Sequence, residues 1–241
     1  MRLAVISDIH SNTDAFASVL ADADSSRADG MICLGDVIGY GPEPNEAIRM
    51  ILERDIPTVM GNHELCVVRK DLLSLLNPTA YKSLLINMEM LSEESLEFVK
   101  KLETSLVSYN SRFVHGFPPD SPTIYMFEPD EEGICEAFGK YGERLCFAGH
   151  THSFEFIEYD GKSVLYSHLR KGLTKLCGDK RYIINAGSVG QPRDGNNHAK
   201  YLIWDTAEDS IEVKYVPYDI DSAVNKIIKA GLPAFNARRL L

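Results

Sequence analysis

A carboxylate and an imidazole lie two residues apart where the first apolar run of the chain ends. Residues 3–6 are apolar and include β-branched side chains, which predicts a buried strand, and Asp8 and His10 follow it. If the backbone is still extended there, both side chains point the same way. Such a pair suits a divalent ion such as Mn, Fe, Co or Zn. Taken alone, however, it is better explained by a turn-capping carboxylate and an ordinary loop histidine.

Four later stretches repeat this arrangement, with polar side chains beside glycine directly after a short apolar run. They are Gly35-Asp36, Gly61-Asn62-His63-Glu64, His115-Gly116 and Gly149-His150-Thr151-His152. With His10, five of the seven histidines fall at such strand ends, and only His168 and His198 do not. Ligands of open α/β sheets gather at the carboxyl ends of the strands. A two-metal site needs a bridging carboxylate and further nitrogen and oxygen ligands, which these residues could supply.

The first part of the chain is predicted to consist of βα units, which would position these residues. Apolar runs at 3–6, 31–34 and 56–59 predict strands, and helical spacing predicts helices at 14–23 and 44–54, which favours a parallel, helix-covered sheet. Residues 65–102 read as mainly helical and carry no obvious chemistry, so we expect a packing element there. Alternation in the last third predicts hairpins and strands of an antiparallel sheet with one wet face, closed by a helix at 220–230.

Composition limits the function classes. The 241 residues carry a net charge of −10, with 44% hydrophobic and 25% charged residues, as in a soluble globular protein. That charge argues against binding to polymeric nucleic acid, but a small phosphorylated substrate held by metal ions remains compatible with it. No run is long and apolar enough to span a membrane, and no signal-peptide pattern precedes the first strand, so we expect a cytoplasmic protein. We find no linker or repeat and expect one domain over 1–241.

The cysteines fit a reducing compartment. There are five, an odd number, and no C-x-x-C pair, so neither a disulfide framework nor a zinc knuckle is indicated. Cys66 follows His63 by three residues in a predicted active-site loop. We expect a buried, inert thiol there.

The five motifs in this order resemble those of the calcineurin-like metallophosphoesterase superfamily, over nearly the whole chain. Two further stretches, Gly39-Tyr-Gly-Pro-Glu-Pro-Asn45 and Gly187-Ser-Val-Gly-Gln-Pro-Arg193, resemble a small bacterial and archaeal phosphodiesterase branch with members similar to diadenosine tetraphosphatases. The resemblance implies an α/β fold in four layers, an α-β-β-α sandwich of two mixed β-sheets flanked by helices.

The resemblance also implies a site. One metal would be held by Asp8, His10, Asp36 and His152, and the other by Asp36, Asn62, His115 and His150. His63 would contact the phosphoryl group without holding metal. The ions would be Mn or Fe, with Ni, Co or Zn also used in the family. The implied activity is hydrolysis of a phosphodiester or pyrophosphate-type bond in a small substrate, such as a nucleotide or dinucleotide polyphosphate, by a metal-bound hydroxide.

The sequence departs from the family pattern in the loop after His115-Gly116 and, more slightly, at Ala186, where the late motif commonly has proline. Relatives often show S-P-R-D-P after the His-Gly pair, whereas residues 117–122 here read F-P-P-D-S-P and lack the arginine. Arg193 could contact phosphate instead, or could merely anchor its glycine-rich loop. A non-catalytic metal-binding scaffold and a metal-dependent nuclease are the other functions that this fold could serve. The sequence does not indicate an oligomeric state.

Overall fold

A computed structural model describes residues 1–241 and shows two mixed β-sheets. In the first sheet the strand order is β2 (Gly30–Cys33), β1 (Arg2–Ile6), β10 (Ala199–Asp205), β11 (Ser210–Val216) and β8 (Gly172–Lys175). Only the β1–β2 pair is parallel; the others are antiparallel. The first and last parts of the chain therefore meet in one sheet.

The second sheet has six strands. Their order is β3 (Ser105–Ser108), β4 (Ser111–Val114), β5 (Leu145–Ala148), β9 (Arg181–Asn185), β6 (Phe156–Tyr159) and β7 (Val164–Ser167). The β4–β5 and β5–β9 pairs are parallel, and the remaining pairs are antiparallel. Strands β4 and β5 thus point their carboxyl ends to the same edge.

Eight α-helices and one 3-10 helix accompany the sheets. They are α1 (Thr13–Ser25), α2 (Pro44–Glu53), α3 (Asn62–Val68), the 3-10 helix Lys70–Leu75, α4 (Pro78–Met90), α5 (Glu93–Lys101), α6 (Glu131–Gly139), α7 (Ile220–Lys229) and α8 (Ala234–Leu240). As expected for its side chain, Asn12 caps α1 by accepting a hydrogen bond from the Ala15 amide at 3.1 Å.

The period-two alternation of β1 explains the layering. Leu3 and Val5 enter the core between the two sheets, whereas Ala4 and Ile6 enter the core under the helices. Phe147 of the second sheet packs 5.2 Å, between ring centroids, from Trp204 of the first. A third cluster lies between the second sheet and α6. The predicted four-layer α-β-β-α sandwich of two mixed sheets is therefore confirmed.

Several predicted elements differ in the structure. Residues 56–59 form only isolated bridges, Cys33 with Thr58 and Val59 with Glu103, because Pro57 has no amide to donate to a ladder. The predicted antiparallel sheet of the last third is wrong, since its strands divide between the two sheets. Strand β10 is buried on both faces, between helices and the second sheet, and so has no wet face.

The sequence does not predict two short elements, β8 and α8. Strand β8 exposes most of its side chains and so shows no clear apolar alternation. Helix α8 follows Pro233, so the predicted helix at 220–230 is not the last helix of the chain. No helix combines the length and apolarity that crossing a membrane requires. The single domain over 1–241 and the cytoplasmic location stay predictions.

Candidate metal centre and active site

The polar residues predicted to act together converge at one edge of the two sheets. Asp8 follows β1, Asp36 follows β2, His115 follows β4 directly, and His150 follows β5 after one glycine. Asn62 and His63 do not follow a strand, since residues 56–59 form only isolated bridges. They lie instead at the start of α3. All the candidate ligands are buried, namely Asp8, His10, Asp36, Asn62, His115, His150 and His152. The topology thus assembles residues from five separate stretches.

The first half of the site contains Asp8, His10 and His152. The Nε2 atom of His152 lies 3.1 Å from Asp8 Oδ1. The Nε2 atoms of His10 and His152 are themselves 3.1 Å apart. These three side chains bring their ligand atoms close enough to share a single ion.

The second half contains His115, His150 and Asn62. The Nε2 atom of His115 lies 3.1 Å from Asn62 Oδ1 and 3.2 Å from His150 Nδ1. Asp36 links the halves through one oxygen, because its Oδ2 lies 3.4 Å from His115 Nε2 and 3.7 Å from His10 Nε2. The Asp36 carboxylate therefore lies between the candidate ligands of the two halves.

Each of the four candidate histidine ligands has one ring nitrogen against a backbone carbonyl. The contacts are His10 Nδ1 to Ile38 O at 3.0 Å, His115 Nδ1 to Leu34 O at 2.8 Å, His150 Nε2 to Thr123 O at 3.2 Å and His152 Nδ1 to Gln191 O at 2.6 Å. A carbonyl only accepts, so that nitrogen carries the proton, and a neutral ring presents a lone pair on the other nitrogen. In the neutral form of each ring, that lone pair points into the site.

These donor atoms fit divalent cations. The lone pairs of His10 and His152 face each other, and Asp8 Oδ1 is buried without a hydrogen-bond partner. Such facing acceptors repel one another unless a positive charge lies between them. Burial lowers the pKa of His150 to about 3 and that of His152 to about 4, which favours the neutral, ligating form.

His115 behaves differently because it faces a carboxylate. Burial alone would lower its pKa, but the charge and hydrogen bond of Asp36, with the charge of Asp8 and the Leu34 carbonyl, together outweigh burial and raise the pKa to about 9. The carboxylates that favour a positive charge on this ring would favour a cation beside it in the same way. Binding of a cation to the ring would displace its added proton.

Left-handed backbone turns, and not extended strands, bring the paired ligands together. Asp8 and His10 have φ of 55° and 49°, and His150 and His152 have φ of 69° and 60°. The expectation that Asp8 and His10 converge through extended backbone is therefore wrong, although the convergence itself occurs. Each such residue costs on the order of 1–3 kcal/mol of backbone strain, which the surrounding fold must offset.

Two glycines lie where any side chain would collide with residues of the site. A Cβ on Gly149 would overlap the Ser7 hydroxyl and press on the Asp8 carboxylate. A Cβ on Gly39, whose φ is +101°, would overlap the imidazole of His63. The glycines of the motifs thus leave room for side chains of the site.

His63 lies beside the candidate metal ligands, and one of its ring nitrogens has no partner. Its amide donates to Asp36 Oδ1 at 2.9 Å, its Nε2 lies 3.9 Å from Asp36 Oδ2, and its buried Nδ1 has no partner. Burial lowers its pKa to about 3 although Asp36 raises it, so the ring is neutral near pH 7. A neutral imidazole in this position can donate a hydrogen bond to a bound phosphoryl group.

Glu64 has a positioning role that sequence reasoning missed. Its buried carboxylate accepts hydrogen bonds from the amides of Asp36 at 2.9 Å, Ile38 at 3.1 Å and Gly61 at 3.0 Å. It therefore ties the loop of the bridging carboxylate to the start of α3. In the sequence, only the position of Glu64 next to His63 pointed to the site, and that position does not indicate hydrogen bonds to these amides.

A cleft opens over the ligands and Arg193 lies on its wall. Arg193 contacts the Tyr40 hydroxyl at 3.4 Å, and its amide donates to the carbonyl of His152 at 3.2 Å. The cleft wall also includes Leu75, Leu76, Asn77 and Ala80 of the helical segment, together with Thr123 and Tyr125. The segment predicted to have only a packing role thus also borders the site.

The loop that lacks the family arginine leads to residues that position His150. The Thr123 carbonyl accepts from His150, and the Tyr125 ring stacks on His150 with centroids 3.7 Å apart. Cys66, also at the cleft, is buried as expected, and burial raises the pKa of its thiol to about 11. The prediction of an inert thiol agrees with that shift.

Comparison with known proteins identifies the family. Residues 1–209 match the family model for the calcineurin-like phosphoesterase superfamily domain. An uncharacterized protein of Methanocaldococcus jannaschii is 38% identical over 244 residues, which cover 99% of this chain and 96% of that protein.

Two solved structures share the fold over almost their whole length. A metallophosphoesterase from Sphaerobacter thermophilus has a TM-score of 0.86 at 32% identity, covering 100% of this chain and 98% of that one. A hypothetical protein from Pyrococcus horikoshii has a TM-score of 0.76 at 18% identity, covering 99% and 97%. Together with the clustered ligands, these matches show that the chain belongs to the calcineurin-like phosphoesterase superfamily.

Proposed function

We propose that this phosphoesterase uses two divalent ions to hydrolyse a phosphodiester or pyrophosphate-type bond of a small phosphorylated substrate. The observation that carries the proposal is the position of Asp36 Oδ2, which faces His10 Nε2 at 3.7 Å and His115 Nε2 at 3.4 Å. A single buried carboxylate oxygen between two ligand groups is what a binuclear centre requires.

The proposed ligand sets follow the two halves of the site. Asp8, His10, Asp36 and His152 would hold one ion, and Asp36, Asn62, His115 and His150 the other. The mixed nitrogen and oxygen donors suit Mn or Fe, and also Ni, Co or Zn. When bound, such ions neutralise phosphate charge and lower the pKa of a coordinated water.

The residues of the chain would then orient the substrate. His63 has no carbonyl partner and no metal to hold in this proposal, so its N–H is available to an oxygen of the phosphoryl group or of the leaving group. Arg193 lies on the cleft wall, where its guanidinium could form two parallel hydrogen bonds with phosphate. Asn62 reaches the same cleft and would contact the substrate as well as its ion.

The cleft and the net charge support a small, nucleotide-like substrate. Tyr125, Leu75 and Leu76 form an apolar wall beside the ligands, suitable for a base of a nucleotide or dinucleotide polyphosphate. The net charge of −10 disfavours polymeric nucleic acid.

A substrate panel tests this proposal. Protein loaded in turn with Mn, Fe, Ni, Co or Zn is assayed with bis-p-nitrophenyl phosphate, p-nitrophenyl phosphate, dinucleotide polyphosphates and single-stranded DNA. We expect a higher kcat/KM for a diester or dinucleotide than for any monoester, and a raised KM in Arg193→Ala. Preference for monoesters would contradict the proposed bond type. No turnover with any metal would favour a scaffold, and cleavage of DNA would favour a nuclease.

A further inference from the structure

A second cleft adjoins the first, and two arginines that form no salt bridge line it. It is lined by the loop residues Pro192, Arg193, Gly195, Asn196 and Asn197, and by Arg239 and Leu241 at the end of α8. Arg193 lines both clefts, so the two clefts adjoin at its side chain. A substrate that extends past Arg193 from the candidate active site would place a second group in this cleft.

Neither arginine has an acidic partner within the chain. The Arg193 side chain donates to Tyr40 and Gln191, both at 3.4 Å, and its buried Nε has no partner. Arg239 lies over the ring of Phe235 at 5.0 Å. The chain as a whole has ten excess negative charges, yet no carboxylate pairs with these two guanidinium groups. A bound anion would neutralise their positive charge.

The acidic residue of this loop is already neutralised. Asp194 pairs with the fully buried ammonium of Lys200 at 2.8 Å, and that ammonium also donates to the Asn196 carbonyl at 2.6 Å. This pair holds the loop shape without compensating the arginines. Burial, with the positive charge of Arg193 nearby, lowers the pKa of Arg239 below its usual value, as expected for like charges held together.

Helix α8 is fixed against the active-site loops, which gives Arg239 a defined position. The buried amide of Asn236 donates to the Tyr40 carbonyl at 2.7 Å and to the Ser83 hydroxyl at 2.8 Å. Tyr40 in turn contacts Arg193. Arg239, one helical turn after Asn236, is therefore carried by an element anchored to the loop that follows the bridging carboxylate.

We propose that Arg193 and Arg239 form a subsite for a phosphate group of the substrate remote from the bond that is cleaved. The inference rests on the proposed function, which it deepens by assigning the substrate more than one phosphate. Guanidinium groups bind phosphate oxygens through pairs of hydrogen bonds, and Asn196 and Asn197 add neutral amide donors. A substrate with one phosphate gains nothing from Arg239.

The test compares Arg239→Gln with Arg238→Gln in the metal-loaded protein. Both substitutions remove one positive charge from adjacent exposed positions, but Arg238 does not line the cleft. The measured quantity is the ratio of kcat/KM for a dinucleotide tetraphosphate to that for bis-p-nitrophenyl phosphate. We expect this ratio to fall about tenfold in Arg239→Gln, the loss of one charge-assisted hydrogen bond, and to stay at its original value in Arg238→Gln.

Binding supplies a readout that does not need turnover. Calorimetry on the metal-loaded protein compares the dissociation constants of ADP and AMP, which differ by one phosphate. We expect tighter binding of ADP, with the advantage lost in Arg239→Gln and kept in Arg238→Gln. Equal effects in both variants, or no effect in either, would overturn the subsite. If no diester or dinucleotide is hydrolysed with any metal, the proposed function fails, while the calorimetry still decides on the subsite.

Discussion

His63 differs from the other buried histidines of the site because neither ring nitrogen is held by a backbone carbonyl. A residue oriented to ligate metal would have its second nitrogen fixed, as His10, His115, His150 and His152 do. We therefore expect His63→Ala to keep its metal content and to lower kcat by roughly 10²–10⁴-fold. Elemental analysis and steady-state kinetics check both parts.

The leaving group provides the control for this prediction. Esters of p-nitrophenol need little stabilisation of the departing oxygen, so the loss in His63→Ala should be smaller for them than for a dinucleotide. Loss of bound metal in this variant would instead assign His63 to the ligands, since its Nε2 also lies 3.9 Å from Asp36.

At the residue scale, the sequence predicts which side chains meet but not how. Glycine beside Asp36, His115 and His150 marked the right positions, and these residues converge with Asp8. The left-handed φ values of Asp8 and His10 could not be predicted, because long-range contacts stabilise them. The Asp8 amide donates to Gly35 O and the His10 amide to Asp36 O, contacts that exist only once β1 and β2 are paired.

At the scale of elements, α4 is the helix that holds two active-site loops in place. The buried Asn87 accepts hydrogen bonds from the Gly39 amide at 2.7 Å and from the Ser11 hydroxyl at 3.2 Å, and donates to the Gly41 carbonyl at 2.9 Å. The helical segment at 65–102 is thus tied to the loops that follow β1 and β2. Its spacing predicted helices correctly, but nothing in its pattern indicated this link.

We expect Asn87→Ala to destabilise the protein by about 2–4 kcal/mol, because it leaves two buried backbone groups without partners. For a chain of this length, the melting temperature should fall by roughly 5–15 °C. Asn225→Ala, a substitution of the same type at an exposed position of α7, is the control and should change little. Equal melting temperatures for the two variants would show that Asn87 does not hold the loops.

Short elements at the edges are what sequence patterns predict least well. Helix α8 has only seven residues, and Phe235 on it is largely exposed, so no apolar stripe distinguishes it. Its anchor, Asn236, contacts Tyr40 across almost two hundred residues of sequence. The second cleft therefore could not be predicted from the chain, whereas the convergence of polar residues beside glycine could.

At the scale of the whole molecule, the proposed ligands would couple metal binding to stability. They come from five stretches between Asp8 and His152 and are brought together only in the folded chain, so ions held by them would bind the folded state in preference to the unfolded one. At a thousandfold excess of ion over its dissociation constant, the stabilisation is about 4 kcal/mol.

We therefore expect chelation followed by dialysis to lower the melting temperature by roughly 8–16 °C, and re-addition of the metal to restore it. Thermal unfolding followed by circular dichroism checks both steps. A melting temperature that is independent of chelation would contradict a buried metal centre in this protein.

The pairing of β1 with β10 has a consequence for how the chain folds during synthesis. Strand β1 is made before both of its neighbours, β2 and β10, and its register joins Leu3 to Trp204. At ribosomal rates of about 5–20 residues per second, the second neighbour of β1 emerges about 10–40 s after β1 itself. During that interval one edge of an apolar strand is open to wrong partners, so nascent chains of this protein should depend on chaperones until β10 has left the ribosome.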